Sequence, residues 1–340
     1  GLGVLPVGHG SSDGGRAVPG EETEPEGRWI ALSTERLSGI EIYEPADLTL
    51  TAGAGTPMRE VAGALAENDQ FAPFDPPFLS ERSLGGLVAD GASGPLWAGY
   101  GELRNHVLGL TVVTGDGRVL RLGGRVVKNV AGFDLIKPMT GSRGSLGVIV
   151  SVCLRAFPVP AEDRLLVLEG PDAGSLLDAA RAVGTAPVLP VSSVIVAGRP
   201  DAHASPSGAA LLGRLHGARR TVDSDQRSIE AHVGRTFDVP DARVAAARNA
   251  RAQDAAAEAD TVLEASVRPS RLPELWAALR GLDPSEAVID AYAGLVRAAF
   301  DTFDATEVRR LVRGAEDLGG AVSVVRSSDP AVATAGSRPS

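Results

Sequence analysis

Apolar residues in the first half of the chain fall in short runs bounded by glycine-rich turns, a pattern typical of β-strands. Residues 108–113 and 118–122 are two such runs, and the Gly115-Asp116-Gly117 sequence between them predicts a β-hairpin. Further strands are predicted at residues 28–32 and 47–52, and at residues 3–12, where a strand runs into a turn of small residues. The first half is therefore predicted to be rich in strands.

One helix is predicted among these strands. Thr56 has the residue type of an N-cap, and Pro57 suits the first helical position because its missing N–H would have no partner there. The residues predicted to line one face of this helix, up to Asn68, are Met58, Val61, Ala62 and Leu65.

The second half alternates predicted strands with predicted helices. Strands are predicted at residues 164–168, 193–196, 210–215, 261–267, 287–292 and 321–325, and helices at residues 175–183, 241–259, 272–282 and 305–318. Asp304 and Glu307 have the spacing of a capping box, and Gly319 is predicted to end the last helix. This order predicts an α+β unit, followed by a disordered tail after Ser327.

Residues 128–149 contain four glycines and a set of apolar residues that can be buried. Asp134 is predicted to cap a short helix that begins at Leu135, and Gly141 to end it. Gly144 and Gly147 then allow the main chain to approach a ligand closely. The segment is predicted to be a loop that suits a phosphate or the edge of a flavin ring.

Two more glycine-bearing loops occur earlier in the chain. The N–H groups of residues 8–11, Gly-His-Gly-Ser, can form a nest for a pyrophosphate. Ser83-Leu84-Gly85-Gly86 opens a short helix whose first N–H groups are predicted to face an anion. Each sequence alone also fits a surface turn or a helix packed closely on a sheet, but three such loops within one domain favour a ligand site.

Several classes of site are excluded by the sequence. Residues 53–58 resemble a dinucleotide fingerprint, but Met58 occupies the third glycine position and no acidic residue follows a second strand at the required spacing. The net charge of -10, with scattered Lys and Arg, argues against a nucleic-acid surface. The single cysteine, Cys153, excludes disulfides within the chain and an iron–sulfur cluster of its own. None of the five histidines has the spacing of a zinc motif.

The sequence contains no signal-peptide pattern and no apolar run of the length of a membrane span, which predicts a cytoplasmic protein. It begins at Gly1, directly in a glycine-rich strand. We therefore expect that the start of the first domain is missing from this sequence.

The order of the three loops resembles the FAD-linked oxidases that have a vanillyl-alcohol-oxidase (PCMH) type flavin domain, and among them the small FAD-binding subunits of bacterial glycolate oxidases. The similarity covers residues 3–158. It implies an FAD-binding PCMH-type domain of two α+β subdomains in residues 1–158, a ferredoxin-like α+β cap in residues 159–326, and a tail in residues 327–340.

The resemblance implies that FAD contacts come from the three loops and the residues beside them. These residues are Pro6, Val7, Gly8, His9, Gly10, Ser11, Pro77, Ser83, Leu84, Gly85, Gly86, Gly91, Ser93, Gly94, Arg104, Lys128, Asn129, Gly132, Asp134, Gly141, Gly144, Gly147, Val148 and Ile149. Arg104 would meet a phosphate or form a solvated ion pair. Valine at Gly85 is expected to lower the flavin content without unfolding the protein. No catalytic residue or metal ligand is assigned.

Some relatives attach the flavin covalently through a histidine in a Gly-Gly-His-Ser sequence, whereas His9 lies in Gly8-His9-Gly10-Ser11, so FAD is expected to bind noncovalently. The resemblance implies oxidation of glycolate, a 2-hydroxy acid, to glyoxylate. It also implies two partners, a larger FAD-binding subunit and an iron–sulfur subunit. The alternatives are a noncatalytic FAD-binding scaffold, an independent FAD-dependent 2-hydroxy-acid dehydrogenase, and an unrelated nucleotide-binding α/β enzyme.

Overall fold

In the computed structural model of the chain, residues 2–8, 28–124, 133–198, 208–254, 259–333 and 335–336 are described. They form two units, which divide between Val159 and Pro160. The strands of the first unit are β1 (Leu2–Val7), β2 (Arg28–Ser33), β3 (Ile40–Glu44), β4 (Thr49–Gly53), β5 (Gln70–Phe71), β6 (Val107–Val113), β7 (Val119–Gly123), β8 (Val148–Arg155) and β9 (Phe157–Pro158). Its helices are α1 (Met58–Ala66), α2 (Leu84–Asp90), α3 (Trp97–Tyr100) and α4 (Ile136–Met139).

An antiparallel sheet in the order β3-β4-β8-β6-β7 is the centre of the first unit. The predicted hairpin is present, because β6 and β7 pair from Gly109 with Gly123 to Val113 with Val119. The strands β1 and β2 form a separate parallel pair. Leu50, Val112 and Val152 of the sheet pack with Leu84, Leu87 and Val88 of α2 in one buried cluster. The core of this unit therefore fixes α2 against the sheet.

Helix α1 corrects two details of the prediction. Met58, Val61 and Leu65 are buried, but Ala62 is exposed. Thr56 does not cap the helix, because its hydroxyl accepts a hydrogen bond from the Gly39 N–H at 2.9 Å and donates one to the Gly39 carbonyl at 3.2 Å. A hydroxyl that is occupied by the residue before β3 does not satisfy the first N–H groups of the helix.

The second unit is built on an antiparallel sheet of seven strands in the order β10-β12-β11-β14-β15-β13-β16. The strands are β10 (Glu162–Gly170), β11 (Ser192–Gly198), β12 (Ala209–Gly217), β13 (Thr261–Ser266), β14 (Glu286–Asp290), β15 (Leu295–Phe300) and β16 (Ala321–Ser327). The helices are α5 (Leu177–Val183), α6 (Arg219–Val233), α7 (Ala242–Asp254), α8 (Leu272–Arg280), α9 (Ala305–Asp317) and α10 (Pro330–Ala333). The predicted α+β fold class is confirmed.

Two apolar clusters, one on each face of this sheet, hold the second unit together. The larger contains residues of α5, α6, α8 and α9, and the smaller includes Ala252 of α7. The predicted capping box at the start of α9 is confirmed, since Asp304 Oδ1 accepts from the Glu307 N–H at 2.9 Å. The prediction of a disordered tail is wrong for α10, because Val332 is completely buried in the larger cluster. Burial of that side chain offsets the entropy cost of ordering the segment.

Candidate functional site

The start of helix α2 lies against the end of strand β1. Ser83 is the N-cap of the helix, and its Oγ accepts a hydrogen bond from the Gly86 N–H at 3.3 Å. A Cβ atom at Gly8 would overlap with this Oγ and would lie 3.9 Å from the Gly86 Cα. The first predicted loop therefore begins in direct contact with the second.

The other end of α2 holds the third predicted loop. The Gly141 N–H donates to the Val88 carbonyl at 3.0 Å, and the Arg143 N–H donates to the Ala89 carbonyl at 2.8 Å. Gly91 ends α2 with a φ of 68°. It lies so close to the third loop that a Cβ atom at this position would be 2.9 Å from the Gly141 Cα. These two hydrogen bonds satisfy carbonyls of the last turn of α2, which have no partner within the helix.

Gly144 and Pro6 bring the first and third loops together. Gly144 has a φ of 78°, and a Cβ atom there would lie 3.0 Å from the Pro6 Cγ. Residues 141–147 therefore contact both α2 and the end of β1. The structure brings together three segments that are separated by up to 138 positions in the sequence, from Pro6 to Gly144.

Main-chain donors remain available in the third loop. Within the part of the chain that the structure describes, the N–H groups of Gly144 and Leu146 have no main-chain acceptor, whereas those of Ser142 and Ser145 donate to neighbouring carbonyls. Leu146 is 48% exposed, and Gly144 is half-buried. The two N–H groups stand on either side of Ser145, and main-chain N–H groups that are not paired within a turn can donate to anionic oxygens. The loop therefore has two N–H groups available to a ligand oxygen, and the binding of a pyrophosphate or a flavin here stays a prediction.

The prediction that the first N–H groups of α2 face an anion is wrong. The Leu84 N–H donates to the Thr56 carbonyl at 2.9 Å, the Gly85 N–H donates to the Ala54 carbonyl at 2.7 Å, and the Gly86 N–H is bound by Ser83. A Cβ atom at Gly85 would lie 2.9 Å from the Ala54 carbonyl oxygen. Gly85 therefore allows the helix to pack closely on the chain after β4, and valine at this position is expected to disturb the fold.

A buried ion pair that the sequence analysis did not assign spans α2. Arg82 is 3% exposed, and its Nη1 lies 2.8 Å from Asp90 Oδ2, while its Nε donates to the Pro77 carbonyl at 3.0 Å. Asp90 also lies 3.7 Å from the Arg143 Nε. In the sequence, this ion pair is indicated only by an arginine directly before the N-cap of α2 and an aspartate at its end. The pair joins both ends of the helix to the third loop.

Other predicted site residues have mainly structural contacts. Gly94 is buried against the main chain of Asp75, Pro77 provides the carbonyl for Arg82, and Leu84 and Ile149 are part of the apolar cluster. Ser93 and Val148 are half-buried. Arg104 forms an exposed ion pair with Glu102, at 2.5 Å.

Asp134 accepts a hydrogen bond from the Ile136 N–H at 3.2 Å, so it does stabilise the start of α4, which begins one residue later than predicted. Gly147 precedes β8, and Val7 lies in β1. His9, Gly10, Ser11, Lys128, Asn129 and Gly132 lie outside the described residues, so their predicted role in binding FAD stays a prediction.

His106 is buried among aromatic rings close to the start of β6. It is 3% exposed, and its ring centroid lies 5.4 Å from that of Phe157 and 6.4 Å from that of Phe74. Among the described residues, neither ring nitrogen has a hydrogen-bond partner of good geometry. Burial lowers the pKa of His106, which the main chain of Gly101 opposes only in part and the positive charge of Arg155 reinforces.

We expect this histidine to make the stability of the first unit depend on pH. At pH values above the ordinary pKa of 6.5, the imidazole is neutral in the folded and in the unfolded protein. At pH values below 6.5, the unfolded chain binds a proton at this histidine before the folded protein does, because the pKa is lower in the folded state. The free energy of unfolding should therefore fall as the pH drops below 6.5, by at most about 1.4 kcal/mol per pH unit. Urea unfolding of wild type and His106→Leu at pH 7.5 and 5.5 measures this effect.

The leucine variant should lose less stability between these pH values than wild type. His232→Leu is the matched control, since His232 is exposed on α6 with its Nε2 3.2 Å from Thr185 Oγ1. An equal pH dependence in wild type and His106→Leu would show that His106 is not the titrating group.

Comparison with known proteins finds relatives of the first part of the chain. Residues 1–123 match the family model described as FAD binding domain. The chain is 43% identical over 123 residues to glycolate oxidase subunit GlcE of Escherichia coli strain K12, a match that covers 36% of this chain and 35% of the relative. It is 36% identical over 170 residues to D-2-hydroxyglutarate dehydrogenase of Xanthomonas citri pv. viticola, covering 49% of this chain and 34% of the relative. These matches span about a third of the length of each relative.

A solved structure, alkyldihydroxyacetonephosphate synthase, matches 94% of this chain and 67% of its own chain, with a TM-score of 0.70 and 16% sequence identity. This similarity shows the fold alone. The family match and the similarity to FAD-dependent oxidoreductases confirm the predicted resemblance and the predicted cofactor. Residues 1–123 are therefore similar to the FAD-binding domains of FAD-linked oxidases, and this match supports FAD as the cofactor.

Proposed function

We propose that this chain is the FAD-binding subunit of a glycolate oxidase complex, in which a 2-hydroxy acid, glycolate, is oxidised to glyoxylate. The observation that carries the proposal is that the Gly8 and Gly141–Gly147 segments both contact α2, whose start is Ser83–Gly86. Gly8 and Ser83–Gly86 lie within residues 1–123, which match the FAD-binding domain, and the chain is 43% identical over 123 residues to subunit GlcE. The proposed partners are a larger FAD-binding subunit and an iron–sulfur subunit. The proposed location is the cytoplasm.

FAD supplies the redox chemistry when it is bound. The residues that would hold it are those of the loops at Gly8 and Gly141–Gly147, where the N–H groups of Gly144 and Leu146 have no main-chain acceptor among the described residues. The hydrogen bonds from Gly141 and Arg143 to α2, together with the Arg82–Asp90 ion pair, hold the Gly141–Gly147 loop in place before FAD binds. Such preorganisation avoids an ordering cost on binding.

The most buried arginines of the second unit are paired within this chain. Four arginine side chains there are at least four-fifths buried, and each lies within 3 Å of a carboxylate of this chain. They are Arg164 with Glu162, Arg214 with Asp163, Arg248 with Glu169, and Arg297 with Glu264. Burial alone would raise the pKa of Asp163, but bonds from Arg214 and His216 outweigh it and keep the pKa below its ordinary value. These paired arginines are not free to bind a substrate carboxylate.

No helix in the described part of the chain is both long and apolar enough to cross a membrane. Within the same residues, no group of three or more His, Cys, Asp or Glu side chains is arranged to hold a metal ion.

The test compares dye-linked oxidation of glycolate by the FAD-loaded chain alone with that by the chain assembled with both proposed partners. We expect the complex to be at least about tenfold faster. Comparable rates would contradict the subunit proposal and favour an independent 2-hydroxy-acid dehydrogenase. A second assay tests the alternative of a noncatalytic scaffold. It uses the complex assembled with a variant of this chain that does not bind FAD. If this chain is only a scaffold, the complex should keep its full activity.

A further inference from the structure

Arg143 connects the third loop to the buried ion pair of α2. Its main-chain N–H donates to the Ala89 carbonyl at 2.8 Å, so the residue lies against the last turn of the helix. Its φ is 52°, in the left-handed region that residues other than glycine seldom adopt. Such residues persist only where the surrounding structure holds them, and they are concentrated at ligand-binding sites. The structure therefore holds the main chain of Arg143 in one strained conformation.

Asp90 is shared unequally by two arginines. Its Oδ2 lies 2.8 Å from Arg82 Nη1, whereas its Oδ1 lies 3.7 Å from Arg143 Nε, which is too long for a hydrogen bond. The Arg82 side chain is 4% exposed, and the Arg143 side chain is 49% exposed. These three side chains carry two positive charges and one negative charge. Arg143 can therefore turn to another anion while Asp90 keeps its buried counter-ion.

Arg143 directly precedes the N–H groups that have no main-chain acceptor. The Gly144 N–H belongs to the peptide bond that follows the Arg143 Cα, so an anionic oxygen that accepts from it is within reach of the long arginine side chain. The other basic residue between positions 133 and 147 is Lys137, whose Nζ lies 3.4 Å from Asp134 Oδ2 at the start of α4. Arg143 is therefore the basic side chain next to these N–H groups.

We propose that Arg143 binds a phosphate group of FAD and so selects FAD over flavins that lack phosphate. Its guanidinium turns from Asp90 to the phosphate oxygens, and the N–H groups of Gly144 and Leu146 donate to the same pyrophosphate. A guanidinium can donate two parallel hydrogen bonds to a phosphate, which suits arginine to this role. The inference rests on the proposed binding of FAD and adds to it the residue that recognises the pyrophosphate.

Calorimetric titration of the full chain without flavin tests the proposal, with FAD and with riboflavin, which has the same ring system but no phosphate. We expect Arg143→Asn to bind FAD about tenfold more weakly than wild type, and riboflavin equally well. Asparagine has no charge and tolerates the left-handed backbone. Arg143→Lys keeps the positive charge and should retain most of the affinity for FAD. The affinity of wild type for FAD should also fall more steeply with added sodium chloride than that of Arg143→Asn.

Arg118→Asn is the matched control, because Arg118 is an exposed arginine of the β6–β7 turn that pairs with Asp116 at 2.6 Å. It should bind FAD as wild type does. The thermal midpoint without flavin separates binding from stability. Arg143→Asn should unfold close to the midpoint of wild type, since it keeps the main-chain hydrogen bond to Ala89 and a backbone conformation that asparagine tolerates.

The proposal is overturned if Arg143→Asn binds FAD as tightly as wild type does. It is also overturned if the variant weakens the binding of FAD and of riboflavin equally, since Arg143 would then only shape the loop. A wild-type chain that binds neither flavin would overturn the proposed function, and this inference with it.

Discussion

Gly144→Ala is expected to lose at least about nine-tenths of its FAD, whereas Gly117→Ala should keep it. The two glycines have nearly the same backbone conformation, with φ values of 78° and 80°. A methyl group at Gly117 meets nothing within 4 Å, whereas at Gly144 it would lie 3.0 Å from Pro6 Cγ and 3.1 Å from Pro6 Cδ. Both variants therefore have the same backbone strain, and only Gly144→Ala forces the first and third loops apart.

The flavin absorbance of the purified variants, after release by acid, measures this loss. Both variants should unfold with similar midpoints when FAD is absent, each less stable than wild type by about 1 kcal/mol. Full FAD occupancy in Gly144→Ala would show that the contact with Pro6 does not shape the site. Equal losses in the two variants would mean that backbone strain alone explains the result.

The second large effect is expected at Gly85, where alanine should lower the free energy of unfolding of the first unit by about 2 to 3 kcal/mol. Its Cβ atom would lie 2.5 Å from the Ala54 Cβ and 2.9 Å from the Ala54 carbonyl oxygen. These neighbours cannot move aside easily, because the Gly85 N–H donates to that same carbonyl and the Ala54 N–H donates to Val150 of β8. Helix α2 would have to shift away from the sheet.

Gly63→Ala is the matched control, since Gly63 also lies within a helix, α1, but has nothing within 4 Å of the position of a Cβ atom. Alanine there should raise the free energy of unfolding by up to about 1 kcal/mol, because it is the better helix former. Urea unfolding followed by circular dichroism gives both values. A stability of Gly85→Ala equal to or above that of wild type would contradict the packing role of Gly85.

Local patterns in the sequence were sufficient to predict most strands and several helices. The β6–β7 hairpin follows from two apolar runs and a glycine-containing turn, and the capping box of α9 follows from two residues. Helix α6 was missed because only Val222 and Ile229 of its 15 residues are buried, so its apolar stripe is narrow. Strand β15 was missed although Leu295–Phe300 is mostly apolar, because Arg297 interrupts the run.

The positions of the glycine loops relative to one another depend on tertiary contacts, which local sequence patterns do not predict. The residue types of the three glycine loops were identified from the sequence, but their contacts join distant positions, such as Gly8 with Ser83 and Pro6 with Gly144. The first N–H groups of α2 are not available to a ligand, because they donate to the carbonyls of Ala54 and Thr56 in the turn after β4. A glycine can be needed for a ligand or for a neighbouring helix, and only the structure distinguishes these reasons.

The hydrogen bonds from Gly141 and Arg143 to the last turn of α2 have a kinetic consequence. A loop that is bonded to a buried helix cannot swing open alone, so its amide protons should exchange with solvent together with those of Val88 and Ala89 as one cooperative opening. If FAD enters or leaves past this loop, the helix must open as well. We therefore expect slow release of FAD, with a rate set by the local unfolding of α2 and independent of the concentration of competing flavin.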